Sequence, residues 1–164
     1  MIREMLQDDC DRVLEIYRMG LDTGNATFET KVPSWHEWDS KHLIHSRFVS
    51  EENGIVVGWA ALTPFSTRKV YRGVAEVSIY VSSDFRGKNI GSGLMKQIIV
   101  TSELNGIWTL VSSVFPENKA TLKLHAKSGF RIIGKREKIA QLDGKWRDTI
   151  LMILCCLPPS PRYP

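Results

Sequence analysis

The run Glu76-Val77-Ser78-Ile79-Tyr80-Val81 has the alternation of a strand and empties at once into Ser82-Ser83-Asp84-Phe85-Arg86-Gly87-Lys88-Asn89-Ile90-Gly91-Ser92-Gly93-Leu94-Met95. A glycine-rich, basic turn that opens a helix points successive backbone N–H groups outward at the positive end of the helix dipole. Arg86 and Lys88 add full charges there. The chemistry this combination serves is the holding of a phosphate.

Spacing decides which phosphate ligand. A P-loop needs Gly-Lys-Ser/Thr after four residues, but the four residues after Gly87 lead into Ser92-Gly93. The dinucleotide fingerprint wants a third glycine where Lys96 stands, and the next apolar run, Ile107 to Val114, ends without the ribose-binding acid. The pattern Arg/Gln-x-x-Gly-x-Gly/Ala does fit from Arg86 to Gly91, with Asn89 in place of its first glycine. This segment resembles the acetyl-CoA pyrophosphate loop of the GNAT N-acetyltransferases. Asn is the non-glycine residue that most readily takes a left-handed backbone, so the loop shape is expected to survive.

A second stretch, Asn118-Lys119-Ala120-Thr121-Leu122-Lys123-Leu124-His125-Ala126-Lys127-Ser128-Gly129-Phe130, resembles another acetyltransferase motif, an Asn-initiated helix ending in Gly-Phe. Within the superfamily, Asn25-Ala26-Thr27-Phe28-Glu29-Thr30, Ala75 to Val81, Leu124-His125 and Gly144-Lys145-Trp146-Arg147-Asp148 are similar to the phosphinothricin and methionine sulfoximine acetyltransferases. The resemblance covers nearly the whole chain. It implies acetyl-CoA as co-substrate, a small-molecule amine as acceptor, and a homodimer.

Acetyl transfer from a thioester to an amine needs a neutral amine, a place for the tetrahedral oxyanion, and help for the departing thiolate. Glu76 is the expected base, acting directly or through a water, because a carboxylate among Val77, Ile79 and Val81 would be partly desolvated and its pKa raised. His125 occupies the position where many relatives carry the thiolate-protonating tyrosine, which implies a general acid or an active-site positioning group. By the same resemblance the family splays two parallel strands near Tyr80 and Val81, where a backbone N–H would meet the oxyanion, and Ile79, Tyr80 and Val81 would bind the cofactor. Arg86, Gly87, Lys88, Asn89, Ile90, Gly91 and Ser92 would hold the pyrophosphate, Asn118 the pantetheine arm, and Lys127 would join Lys96, Lys119 and Lys123 around the cofactor.

For the acceptor, a planar guanidinium can grip a carboxylate bidentately, so Arg72 is the favoured anchor, with Arg68 and Lys69 competing. Phe28, Tyr71 and Trp146 are candidates for the pocket wall, with Thr27 offering a hydroxyl.

These residues need a scaffold, and periodicity supplies one. Ile2 to Leu6 reads as a strand, and Asp8 or Asp9 caps a helix carrying Val13, Leu14, Ile16 and Tyr17. Ser34-Trp35-His36-Glu37 is a capping box opening a helix to about His45. Phe48 to Glu51 and Ile55 to Phe65 flank the hairpin signal Asn53-Gly54. Val74 to Val81 is a strand, Ile90 to Leu104 a helix stopped by Asn105-Gly106, and Ile107 to Val114 a strand. A helix after Pro116-Glu117-Asn118 precedes a last hairpin, Phe130 to Gln141 and Trp146 to Leu157, turning at Asp143-Gly144. The expectation is a mixed α/β (α+β) fold, the GNAT acyl-CoA N-acyltransferase fold, with a central sheet of about seven strands flanked by helices. It would occupy residues 1–157 as one domain, followed by a proline-rich tail at 158–164.

With 164 residues, 43% hydrophobic and 24% charged, the composition is that of a globular domain. No run approaches a membrane span and no apolar block follows Met1, so a cytoplasmic protein without membrane contact is expected. Cys10, Cys155 and Cys156 lack the spacing of a zinc site, and His36, His42, His45 and His125 add no cluster, so no metal is expected. A net charge of +4, scattered and without basic runs, gives nucleic acid little support as a partner.

Overall fold

The computed structural model describes residues 1–155; Cys156 and the expected tail at 158–164 lie outside the described residues. Seven strands form one sheet: β1 (Ile2–Glu4), β2 (Phe48–Glu52), β3 (Ile55–Pro64), β4 (Val74–Val81), β5 (Thr109–Val114), β6 (Arg131–Leu142) and β7 (Lys145–Cys155). Their order across the sheet is β1-β2-β3-β4-β5-β7-β6. Four helices cover it: α1 (Cys10–Asp22), α2 (Trp35–Lys41), α3 (Ile90–Leu104) and α4 (Lys119–Lys127). Among the neighbouring pairs only β4 and β5 run parallel, with α3 as the crossover that a parallel pair requires.

Alternation along the strands separates two apolar layers. Ala75, Val77, Leu110 and Met152 pack with Leu94, Met95 and Ile98 of α3 and with Phe130, on one side. Val49, Trp59 and Ala61 pack with Val13 and Ile16 of α1 and Trp38 of α2, on the other. Residue 76 and its even-numbered neighbours on β4 belong to this second side, where α1 and α2 cover the β1–β4 half.

The sequence expectations hold for β4 and α3 to the residue. Elsewhere the ends differ for identifiable reasons. Asp9 does not cap α1 through its side chain; its carboxylate instead accepts from both Nη atoms of Arg3 at 2.8 and 2.9 Å and from the Leu6 N–H at 2.7 Å, tying β1 to the start of α1. The capping box at Ser34 and Glu37 forms as expected, but α2 ends at Lys41. His42 turns extended, stacks on Trp38 at 3.9 Å and bonds the Trp38 carbonyl, which terminates the helix well short of His45. β5 starts at Thr109, because the Ile107 N–H returns to Ser102 to close α3. The last strand, β7, is internal, and β6 forms the sheet edge.

Candidate active site

α3 begins without a side-chain cap. Its N-cap, Asn89, sits at φ 61° and ψ 11°, the left-handed conformation that the sequence pattern asks of this position. The first amide to bond within the helix is that of Gly93, to the Asn89 carbonyl. The N–H groups of Ile90, Gly91 and Ser92 are therefore the orphan donors at the positive end of a 15-residue helix. Arg86, Gly87, Lys88 and Asn89 are exposed around them, and Ile90 anchors the loop in the core. A Cβ on Gly91 would lie 3.2 Å from Leu124 Cδ2, so the glycine lets α4 approach the loop. Lys96, Lys119, Lys123 and Lys127 are exposed on the two helices. The arrangement fits a polyphosphate.

Next to this loop the sheet opens. β4 and β5 are paired at Val74–Thr109, Ala75–Leu110 and Glu76–Val111, and no further. On its other side β4 stays bonded to β3, with Phe65 N–H donating to Val74 and Ser82 N–H to Val57. In an antiparallel ladder alternate residues face the partner, so Val74, Glu76, Ser78 and Tyr80 are bonded to β3. The N–H groups of Ile79 and Val81 point the other way, into the gap. The ladder thus commits the Tyr80 N–H to β3 and leaves the N–H groups of Ile79 and Val81 unpaired by β5.

Glu76 stands at the last paired position, where the gap begins. Its carboxyl is partly buried, and that burial pushes its pKa above the ordinary 4.5. The Arg136 guanidinium and hydrogen bonding from the Ser113 N–H and hydroxyl oppose the rise. The ring of Tyr80, two pairs along β4, lies on the same side, stacked on Trp59 at 4.8 Å and edge-on to Tyr17 at 5.0 Å. Gly20 of α1 makes room for it, since a Cβ there would meet the Tyr80 ring at 2.5 Å. Burial pushes the Tyr17 and Tyr80 hydroxyls up, and Thr27, beside both, pulls the other way.

Thr27 and Phe28 belong to the segment between α1 and α2, which is fastened over this face. Phe28 meets Phe115 edge-on at 4.8 Å. Arg147 of β7 lies over the Phe115 ring at 4.0 Å and donates to the Gly24 carbonyl (3.0 Å), Asn25 Oδ1 (3.1 Å) and Glu117 (3.3 Å). Asn118 caps α4, accepting from Thr121 N–H, and its Nδ2 donates to the Asn25 carbonyl. One residue thus links the helix beside the cofactor loop to the segment carrying Thr27.

The remaining candidates are more scattered. Arg72 is exposed with its guanidinium 5.4 Å from the Trp108 ring centroid. Tyr71 meets Phe65 edge-on under Arg68. Trp146 is 57% exposed at the end of the β6–β7 hairpin, and its neighbour Arg147 is the one that reaches the Thr27–Phe28 segment. His125 is only 3% exposed and packs edge-on to Phe130 at 4.8 Å, in the α3 layer on the other side of the sheet. A carbonyl can only accept, so Nδ1 carries the proton of its 2.8 Å bond to the Thr121 carbonyl. Nε2 is then a buried lone pair without a partner among the described residues, and burial lowers the pKa of the ring. Sequence reasoning passed over Tyr17, Ser113, Arg136 and Arg147. Only Arg147 carried a signal, its place in the Gly144 to Asp148 motif.

A sheet opened between parallel strands, with an anion-binding helix start beyond the opening, defines an acyl-CoA-dependent transferase. The acetyltransferase (GNAT) family model matches residues 6–130, and the chain belongs to that family. It is an acetyl-CoA-dependent N-acetyltransferase. The phosphinothricin N-acetyltransferase of Alcaligenes faecalis is 31% identical over 158 residues, which are 92% of this chain and 80% of that protein. The L-methionine sulfoximine/L-methionine sulfone acetyltransferase of Pseudomonas aeruginosa is 28% identical over 159 residues, 93% of this chain and 92% of that protein. Among solved structures, a GNAT superfamily phosphinothricin acetyltransferase from Sinorhizobium meliloti in complex with acetyl-CoA has a TM-score of 0.86 at 27% identity, covering 100% of this chain and 95% of that one. Among the described residues no helix is long and apolar enough to cross a membrane.

Proposed function

We propose that this enzyme acetylates the amine of a small amino-acid-like acceptor, of the phosphinothricin or methionine sulfoximine type, by direct attack on the acetyl-CoA thioester with Glu76 as base. The observation that carries the reading is the position of Glu76: a partly desolvated carboxylate, its pKa raised by burial, at the point where β4 leaves β5. Glu76 takes the proton of the bound ammonium, directly or through a water. The amine nitrogen then bonds to the thioester carbonyl carbon, and the free N–H of Ile79 or Val81 meets the resulting oxyanion. The C–S bond breaks and the thiolate leaves with the proton that the attacking nitrogen must shed to become the amide. His125 serves as a positioning acceptor, because its Nε2 lone pair can receive a hydrogen bond but cannot supply a proton unless a buried ring is first charged. Arg86 to Ser92 hold the pyrophosphate, Asn118 and Lys127 support the cofactor side, and Thr27 and Phe28 flank the acceptor.

The same reading extends to assembly and location. Ile132, Ile133 and Ile139 are exposed on β6 at the sheet edge, an apolar strip suited to a second copy of the chain, which gel filtration with light scattering tests. The unpaired thiols of Cys10 and Cys155 fit a cytoplasmic protein. The function itself is tested by thiol release from acetyl-CoA with methionine sulfoximine, phosphinothricin, the common amino acids, polyamines and N-terminal peptides as acceptors. Selective turnover of the first two is the expected result, and turnover of peptides alone would move the assignment to protein acetylation.

A further inference from the structure

Arg136 lies on β6 and reaches across β7. Its Nε donates to Thr149 Oγ1 at 3.1 Å and its Nη2 to Ser113 Oγ at 2.6 Å. A guanidinium has five N–H donors in a rigid fork. These two bonds engage one side of it and leave three hydrogens, of which one on Nη1 and the second on Nη2 form an end-on pair of donors. Arg136 makes no ion pair among the described residues.

Sheet register places this fork opposite the base. Directly paired residues share a face, as do residues two apart on a strand. Arg136 pairs with Thr149, Thr149 is two residues from Leu151, and Leu151 pairs with Ser113. Ser113 is two residues from Val111, which pairs with Glu76. Arg136 and Glu76 therefore project from one side of the sheet with Ser113 between them, opposite charges that do not close into an ion pair. A direct pair would have held the Glu76 carboxyl in the low range of salt-bridged carboxylates and weakened it as a base.

A zwitterion matches such a divided pair, its ammonium on the carboxylate and its carboxylate on the guanidinium. We propose that Arg136 is the carboxylate-binding residue of the acceptor site, so that the enzyme selects α-amino acids over amines that lack the carboxyl group. This rests on the acetyltransferase reading above. Arg72, expected in this role, closes the short turn Lys69–Tyr71 ahead of β4, and its guanidinium lies over Trp108. An α-amino acid separates its two charges by a single carbon, so their holders must be close neighbours.

Paired acceptors test the assignment: methionine sulfone, and 3-(methylsulfonyl)propan-1-amine, the same molecule without its carboxylate. Losing one partner of a charge-assisted contact predicts that wild type favours the amino acid by about 10²-fold in kcat/KM. Arg136→Gln is expected to lower kcat/KM for the amino acid by about 10²-fold, mainly through KM, and to leave the amine within about threefold. Arg136→Lys keeps the charge but not the fork and is expected to fall between them, which also covers the case in which the Gln variant does not fold. Arg72→Gln should leave the ratio between the two acceptors as in wild type. Acetyl-CoA affinity and thermal midpoint report whether each variant is intact. An equal fall with both acceptors would make Arg136 a brace for Ser113 and overturn the assignment, as would an unchanged ratio. Wild type using both acceptors alike would overturn this inference alone, whereas wild type using no amine would overturn the acetyltransferase reading and this inference with it.

Discussion

The loop from Arg86 to Ser92 and the face around Glu76, which we assign to the two ends of one acetyl transfer, are built by opposite means. The loop is seven consecutive residues, mostly exposed, whose working groups are backbone amides oriented by a helix start. The face is assembled from β4, β5, β6, β7 and the segment after α1, and its working groups are side chains that approach only through the fold. Holding an anion requires only that dipoles be aimed, so a side chain at one loop position can change, as Asn89 shows, if the backbone angle is kept. A base for an ammonium must be partly removed from water and still be hydrogen-bonded. That condition takes several strands to meet, and it opposes stability.

The largest effect that could break this contrast is on the face. Glu76→Gln is expected to lower kcat by about 10²-fold or more while leaving acetyl-CoA affinity in place, measured by steady-state kinetics alongside titration of the cofactor. In wild type the acid limb of kcat/KM should lie above pH 4.5, because burial raises this carboxyl. On the loop, Asn89→Val forces a β-branched residue into a left-handed backbone, a strain of about 1–3 kcal/mol, and should weaken acetyl-CoA binding about tenfold with kcat unchanged. A loop variant that lost kcat instead would dissolve the division.

The smallest effect sharpens it. A carboxyl whose folded pKa is raised favours the folded state while protonated and loses that contribution as pH rises through the raised value. Glu76→Gln should therefore raise the thermal midpoint at neutral pH, by about 2–4 °C, with the gain fading as pH falls to 4.5. No such gain is expected from Asn89→Val, whose strain lowers the midpoint at every pH.

The same contrast explains what could be read from the letters. β4, α3 and the phosphate loop were legible because alternation, an apolar helical stripe, and glycine and asparagine placement are local signals. Glu76 could be proposed from the letters because its strand and its apolar neighbours are contiguous with that loop. Arg136 could not, since its relation to Glu76 passes through the registers of β6 with β7, β7 with β5 and β5 with β4. Asp9 stands at the N-cap of α1 as expected, but its carboxylate does not do the capping, for a similar reason: its partner, Arg3, competes for it through a turn whose path no periodicity fixes. The end of α2 depended on His42 stacking against Trp38, a contact that helical spacing alone does not predict.

Five residues of extended strand, about 16 Å, separate Glu76 from the end of β4, and the turn Ser83–Phe85 follows before the loop, far enough for the two regions to act independently. The double variant Glu76→Gln with Asn89→Val tests that independence through kcat/KM for acetyl-CoA at a fixed amino-acid acceptor. Two regions that divide the reaction predict a loss equal to the product of the two single losses. A double variant no worse than Glu76→Gln alone would contradict the account and make the loop and the face one unit.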